Sequence, residues 1–134
     1  MPVPFGFSVG DFLAVADLAF KITILLLEIK GVSASYKRLI ADLKLTTQAL
    51  NHVGQLQSLN TLPIAAKNAV SHGLSCCRRD LERLMEIVQK YRSGFHMFQK
   101  VKWVILESED VNKLRDNICR SICQINLVLS AIGL

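Results

Sequence analysis

The chain has 134 residues, enough for one domain with a sizeable core. Its 51% hydrophobic content is high for a soluble domain but is not a membrane-protein composition, and only 3 prolines and 7 glycines interrupt it. The net charge is +5, and no run of strict apolar alternation between turn pairs occurs, so a strand-rich class is excluded and helical periodicity fills every long segment.

In chain order, residues 1–10 form an apolar lead with two prolines and two glycines. It lacks the basic start and small-residue cleavage site of a secretory signal. A first helix is expected from about Asp11 to Lys30, with Asp11 at its positive end and Gly31 past its last turn. A second starts near Ser33–Ser35, carries Tyr36, Leu39, Ile40, Leu43, Leu50 and Val53 on one stripe, and ends near Gln57–Asn60. A third starts around Leu62–Pro63. Its stripe is Val70, Leu74, Cys77, Leu81, Leu84, Met85, Val88 and Tyr91, with Gly73 a weak point. A connector over 92–107 leads to a fourth helix capped by Ser108. Its stripe is Val111, Leu114, Ile118, Ile122, Ile125, Leu129 and Ile132. Short links favour antiparallel neighbours, so the expected fold is all-α: a single domain over 1–134, an antiparallel four- to five-helix up-down bundle with a strongly hydrophobic N-terminal helix.

The first helix stands apart. Between Phe12 and Ile29 its only charged residues are Asp17, Lys21 and Glu28, which fall in one narrow sector. It should therefore be the most buried helix, with Phe12, Leu13, Val15, Leu18, Phe20, Ile22, Leu25, Leu26 and Leu27 inside. A span of this stretch would reach roughly 27 Å. Three internal charges at about 2.5–3.5 kcal/mol each near the bilayer centre oppose a resident transmembrane segment. Gly6, Gly10 and Ala14 recur every four residues on the charged sector, the spacing that lets helices approach closely in a membrane.

The charge is uneven. From Lys67 to Trp103 there are eight basic residues (Lys67, Arg78, Arg79, Arg83, Lys90, Arg92, Lys100 and Lys102) against three acidic ones, an excess equal to the whole net charge. With Phe95, Phe98 and Trp103 among them, they suit an anionic membrane surface or a partner. No helix-turn-helix, zinc-finger or RNA-binding pattern supports nucleic acid. Cys76, Cys77, Cys119 and Cys123 have spacings unlike a disulfide framework, and are expected as reduced, mostly buried thiols. His52, His72 and His96 are scattered, and no nucleotide-binding, metalloprotease or nucleophile motif occurs. Neither catalytic residues, a metal site nor a cofactor is expected.

The opening FGFSVGDFLAVADLAFKI resembles the start of fungal N-terminal domains carried by NLR-like STAND receptors and related multidomain proteins. The segment around Tyr36 and RLIADLKLTTQAL looks like the second helix of that family. KWVILESEDVNKLRDNICRSICQINLVLSAI resembles its later part. The likeness covers essentially the whole chain and is similar to the HeLo and HeLo-like group. It implies a helical-bundle signalling or cell-death effector module, some members of which expose the N-terminal helix and permeabilise membranes. On that basis the chain is expected to be the cytoplasmic N-terminal module of a longer protein, followed by a nucleotide-binding or other domain. Clustering would drive homo-oligomerisation and bring Gly6, Gly10, Phe12, Leu13, Ala14, Leu18, Phe20, Leu25 and Leu26 to the plasma membrane, with anionic lipid as partner. The alternative is a helical adaptor without membrane activity.

Overall fold

The computed structural model describes residues 9–28, 34–56, 59, 61–93 and 109–133. Within them the chain is all-α and forms helices α1 (Val9–Leu27), α2 (Ala34–Gly54), α3 (Ile64–Ser93) and α4 (Glu109–Ala131). Local chemistry sets the ends. Asp11 lies in the first turn of α1, and Glu109 and Asp110 in that of α4, where the helix dipole favours a carboxylate. Pro63 immediately precedes α3, and its carbonyl accepts the Lys67 N–H at 2.9 Å, opening the α-helical ladder. The last turn of α2 tightens: the Gln55 N–H is shared between the carbonyls of Asn51 and His52, both at 3.2 Å. That helix thus stops earlier than Gln57–Asn60.

α1 packs along α2 and α3, and α4 along α3 and α2, so the four helices occupy the corners of a square. A methyl at Gly54, the end of α2, would meet Phe12 Cβ at 3.1 Å near the start of α1. One at Gly73, early in α3, would meet Ile125 Cγ1 at 2.9 Å late in α4. Both pairs are therefore antiparallel. α2 and α3 follow each other in sequence yet lie across the diagonal, so the link between them crosses one end of the bundle. Leu59 and Leu62 of that link are buried and tie it to the core.

The stripes of α2, α3 and α4 fill the interior much as their periodicity requires. Leu39, Leu43 and Leu50 of α2, Leu74, Leu81 and Leu84 of α3, and Ile118, Ile125 and Leu129 of α4 are all buried. Ile122, Leu114 and Met85 are only partly covered, and Ile132 is exposed. Two buried threonines satisfy themselves locally: Thr23 donates to the Ala19 carbonyl and Thr46 to that of Asp42, each at 2.9 Å.

α1 departs most from expectation. Phe12, Val15, Ala16, Ala19, Ile22 and Leu26 are buried, and Leu18 and Leu25 are half-buried. Leu13, Phe20 and Leu27, however, face solvent. The reason is the square arrangement: two neighbours cover two flanks of a helix, and an apolar residue on the outer flank has nothing to pack against.

Candidate interaction surface

The outer flank of α1 is built by four large apolar residues spaced seven, four and three apart. At 100° per residue, Leu13, Phe20, Ile24 and Leu27 fall on one narrow stripe. They are 42%, 50%, 41% and 52% exposed. The stripe runs roughly 21 Å along the helix. Charge borders it on one side: Lys21 Nζ bonds Asp17 Oδ2 at 3.0 Å, and Glu28 is exposed about two turns further on. Isolated apolar residues on a surface need no explanation, but an aligned row rimmed by charge has the form of a contact site.

The adjoining flank, toward α3, holds an open groove of about 300 Å³. Ala14, Val15 and Leu18 floor it, and the pairs Asp17–Lys21 and Arg78–Glu82 stand on its two walls. Gly10 and Ala14 are exposed on this charged sector of α1, as their spacing required. Gly6 lies outside the described residues.

The basic stretch is less free than its composition suggested. Arg78 Nε lies 2.6 Å from Glu82 Oε1, and Arg83 Nη1 lies 3.3 Å from Glu86 Oε2. Both pairs are half exposed, where such contacts hold little energy, and they leave the net charge of the stretch unchanged while engaging two of its arginines. Arg79 donates to Cys76 Sγ at 3.7 Å, and Lys90 is exposed. The Arg92 side chain and all of Lys100, Lys102 and Trp103 lie outside the described residues. Arg115 Nε of α4 lies 3.4 Å from Asp42 Oδ2 of α2, an ion pair between helices with both side chains largely covered. Sequence reasoning missed it, because nothing in the pattern places α2 beside α4.

All four thiols are free, but the expectation that most are buried is corrected. Cys77 alone is buried; Cys76 and Cys119 are half-covered and Cys123 is exposed. Burial pushes the Cys77 thiol up to about 12, with a smaller contribution from the negative charge of Asp80. Burial, then Asp42, also raises Cys119. Among the described residues no group of three His, Cys, Asp or Glu side chains is placed to hold a metal ion. Among those residues, too, no helix is long and apolar enough to cross a membrane. Comparison with protein-family models, with curated proteins and with solved structures found no match to this chain.

Proposed function

We propose that this chain is a non-catalytic, cytoplasmic effector module that works when clustered, docking the outer face of α1 on an anionic membrane and disturbing it there. The observation that carries the reading is the exposed row Leu13, Phe20, Ile24 and Leu27. The likeness of its opening helix to HeLo-like domains supports it as well. Magnitudes explain why clustering is needed. Each side chain is about half exposed, so covering the remainder gains about 1 kcal/mol apiece and about 4 kcal/mol in all. That lies in the millimolar range, before any cost of association. A single copy engages weakly. Several copies held together by a downstream domain and binding at once gain by effective concentration. α1 lies on the surface in this reading, with Asp17 and Lys21 toward water, since no described helix is long and apolar enough to cross a membrane.

A second reading is a helical adaptor that covers the same row with a partner's helix and needs no lipid. The Asp17–Lys21 rim favours it, because it carries no net charge to attract a membrane. The two separate in a vesicle assay. Phe20→Asp with Leu27→Asp should cost about 2 kcal/mol of stability, since the buried half of each side chain is lost, and leave the bundle folded. It should abolish flotation with, and dye release from, anionic vesicles by a clustered fusion. Should the clustered wild type neither bind nor permeabilise vesicles, the effector reading falls and the adaptor is preferred.

A further inference from the structure

The outer row of α1 is apolar and its charged rim is neutral at Asp17–Lys21, so the charge that would draw it to an anionic surface must come from elsewhere. The contact between α1 and α2 shows where. A methyl at Gly54 of α2 would lie 3.1 Å from Phe12 Cβ of α1, so these two residues mark the line along which the helices meet. At 100° per residue, buried Val15, Ala19, Ile22 and Leu26 lie to one side of Phe12, and Leu13, Phe20, Ile24 and Leu27 lie roughly 60–120° to the other. On α2, buried Leu39, Leu43 and Leu50 lie to one side of Gly54, and exposed Lys37 and Lys44 lie roughly 80–100° to the other. The apolar row and the two lysines therefore share the outward face of the α1–α2 pair. The helices are antiparallel, so Lys44, roughly 15 Å along the pair from Gly54, is level with the gap between Phe20 and Ile24. Lys37, roughly 26 Å along, sits just past Leu27.

The charge on this face is uncompensated by α2 itself. Asp42, the only carboxylate of α2, is 3.4 Å from Arg115 of α4 on the opposite flank. The bases of α3 differ: Arg78 and Arg83 each stand beside a glutamate, and Arg79 donates to Cys76 Sγ. On α1, Asp17 and Glu28 lie beyond the row, on the side away from α2. A surface laid against the row and the α2 lysines leaves those carboxylates at its far edge. We infer that an anionic bilayer is met by the α1–α2 pair, with Leu13, Phe20, Ile24 and Leu27 entering the interface while Lys37 and Lys44 bind lipid headgroup phosphates and carboxylates beside them. This rests on the membrane-docking reading above and assigns its charge recognition to α2, not to the arginines of α3. Lysine suits the place: its stem lies along apolar surface and its ammonium, with three donors, reaches the headgroups. Each such lysine strengthens attraction to an anionic leaflet about fivefold. Charge complementarity selects the bilayer as occupant, because one flat anionic sheet engages the row and both lysines at once.

Flotation of the clustered fusion, measured against lipid concentration, tests the assignment. One set of vesicles contains phosphatidylserine in phosphatidylcholine, and the other phosphatidylcholine alone. Lys37→Gln with Lys44→Gln should need about 30-fold more of the anionic lipid than wild type, from about fivefold for each lysine. Lys37→Arg with Lys44→Arg keeps the charge and should bind as wild type does. Arg78→Gln with Arg79→Gln removes the same charge from α3 and should change binding little. All six substitutions replace exposed side chains with good helix formers, so circular dichroism should show each bundle folded. Equal weakening by the α2 and α3 glutamine pairs would mean that binding follows net charge, and would overturn the assigned face. Undiminished binding of Lys37→Gln with Lys44→Gln, or equal wild-type binding to both kinds of vesicle, would overturn it too, while the membrane reading of the α1 row would stand. A clustered wild type that floats with neither vesicle would point to a protein partner on this face and overturn both.

Discussion

Gly73 gives the most discriminating test of how α3 meets α4. In the middle of a helix, alanine is normally about 0.8–1 kcal/mol better than glycine. Composition alone therefore predicts that Gly73→Ala stabilises the bundle. The packing predicts the opposite. A methyl there would lie 2.9 Å from Ile125 Cγ1, 3.4 Å from its Cδ1 and 3.6 Å from the Ser121 carbonyl oxygen. Ile125 is buried and β-branched, and in a helix such a side chain has one strongly preferred χ1, so Cγ1 has little room to swing aside. Overpacking of this kind costs about 1–3 kcal/mol. The difference leaves Gly73→Ala destabilised by about 1 kcal/mol. Ile125→Ala alone should cost about 2–5 kcal/mol through lost burial and the cavity left behind. In that background the obstacle is gone, and Gly73→Ala should stabilise by about 1 kcal/mol. The double-mutant cycle should then show coupling of about 2 kcal/mol. Urea unfolding with an unchanged slope measures all four corners. If Gly73→Ala stabilises equally in both backgrounds, the close approach of α3 and α4 at this point is wrong.

Other outcomes follow from burial. Leu81→Ala should lose about 2–5 kcal/mol of stability, and Ile122→Ala clearly less, because Leu81 is fully enclosed and Ile122 only partly; the reverse order in urea would mean that the faces of α3 and α4 are misassigned. Alkylation followed by mass spectrometry should modify Cys123 first and Cys77 only on unfolding, and equal rates would contradict the burial. Because the folded Cys77 thiol is raised from 9.0 to about 12, its contribution to stability is full below pH 9 and is lost as pH climbs through 12. Cys77→Val should therefore flatten the alkaline loss of stability relative to wild type, and an identical slope would refute the assignment. Binding of the clustered chain to anionic vesicles should fall as salt rises, since surface attraction is screened within about 8–10 Å at ordinary ionic strength; equal binding to neutral vesicles would remove the electrostatic part.

What the sequence made legible, and what it left hidden, follows from how a helix reports its surroundings. On α3 the predicted stripe is buried at Val70, Leu74, Cys77, Leu81, Leu84 and Val88 and partly covered at Met85, while the Tyr91 side chain lies outside the described residues. There the number of apolar residues equals what two neighbouring helices can cover, so the pattern alone names the inward face. α1 breaks that correspondence. Nearly every position from Phe12 to Leu27 is apolar, so periodicity carries no direction, and its three charges mark one outward sector while leaving the rest undecided. Taking all the rest as interior needs neighbours on nearly every side, whereas a corner helix in a square has two. The surplus must then face water, and it does so at Leu13, Phe20, Ile24 and Leu27. Pair identities were equally hidden. Short links suggested that each helix packs on the next, but the diagonal placement of α2 and α3 brings Asp42 against Arg115 and turns Gly73 from a flaw into a requirement of close packing. The same logic locates the candidate surface. The exposed face of a bundle helix selects mostly polar residues, as the outer positions of α2 do at Lys37, Arg38, Lys44 and Gln48, with Leu45 a single exposed large apolar residue among them. α1 differs in setting leucine, isoleucine and phenylalanine in one aligned row on its outer flank, and that alignment is what the proposed contact at this flank rests on.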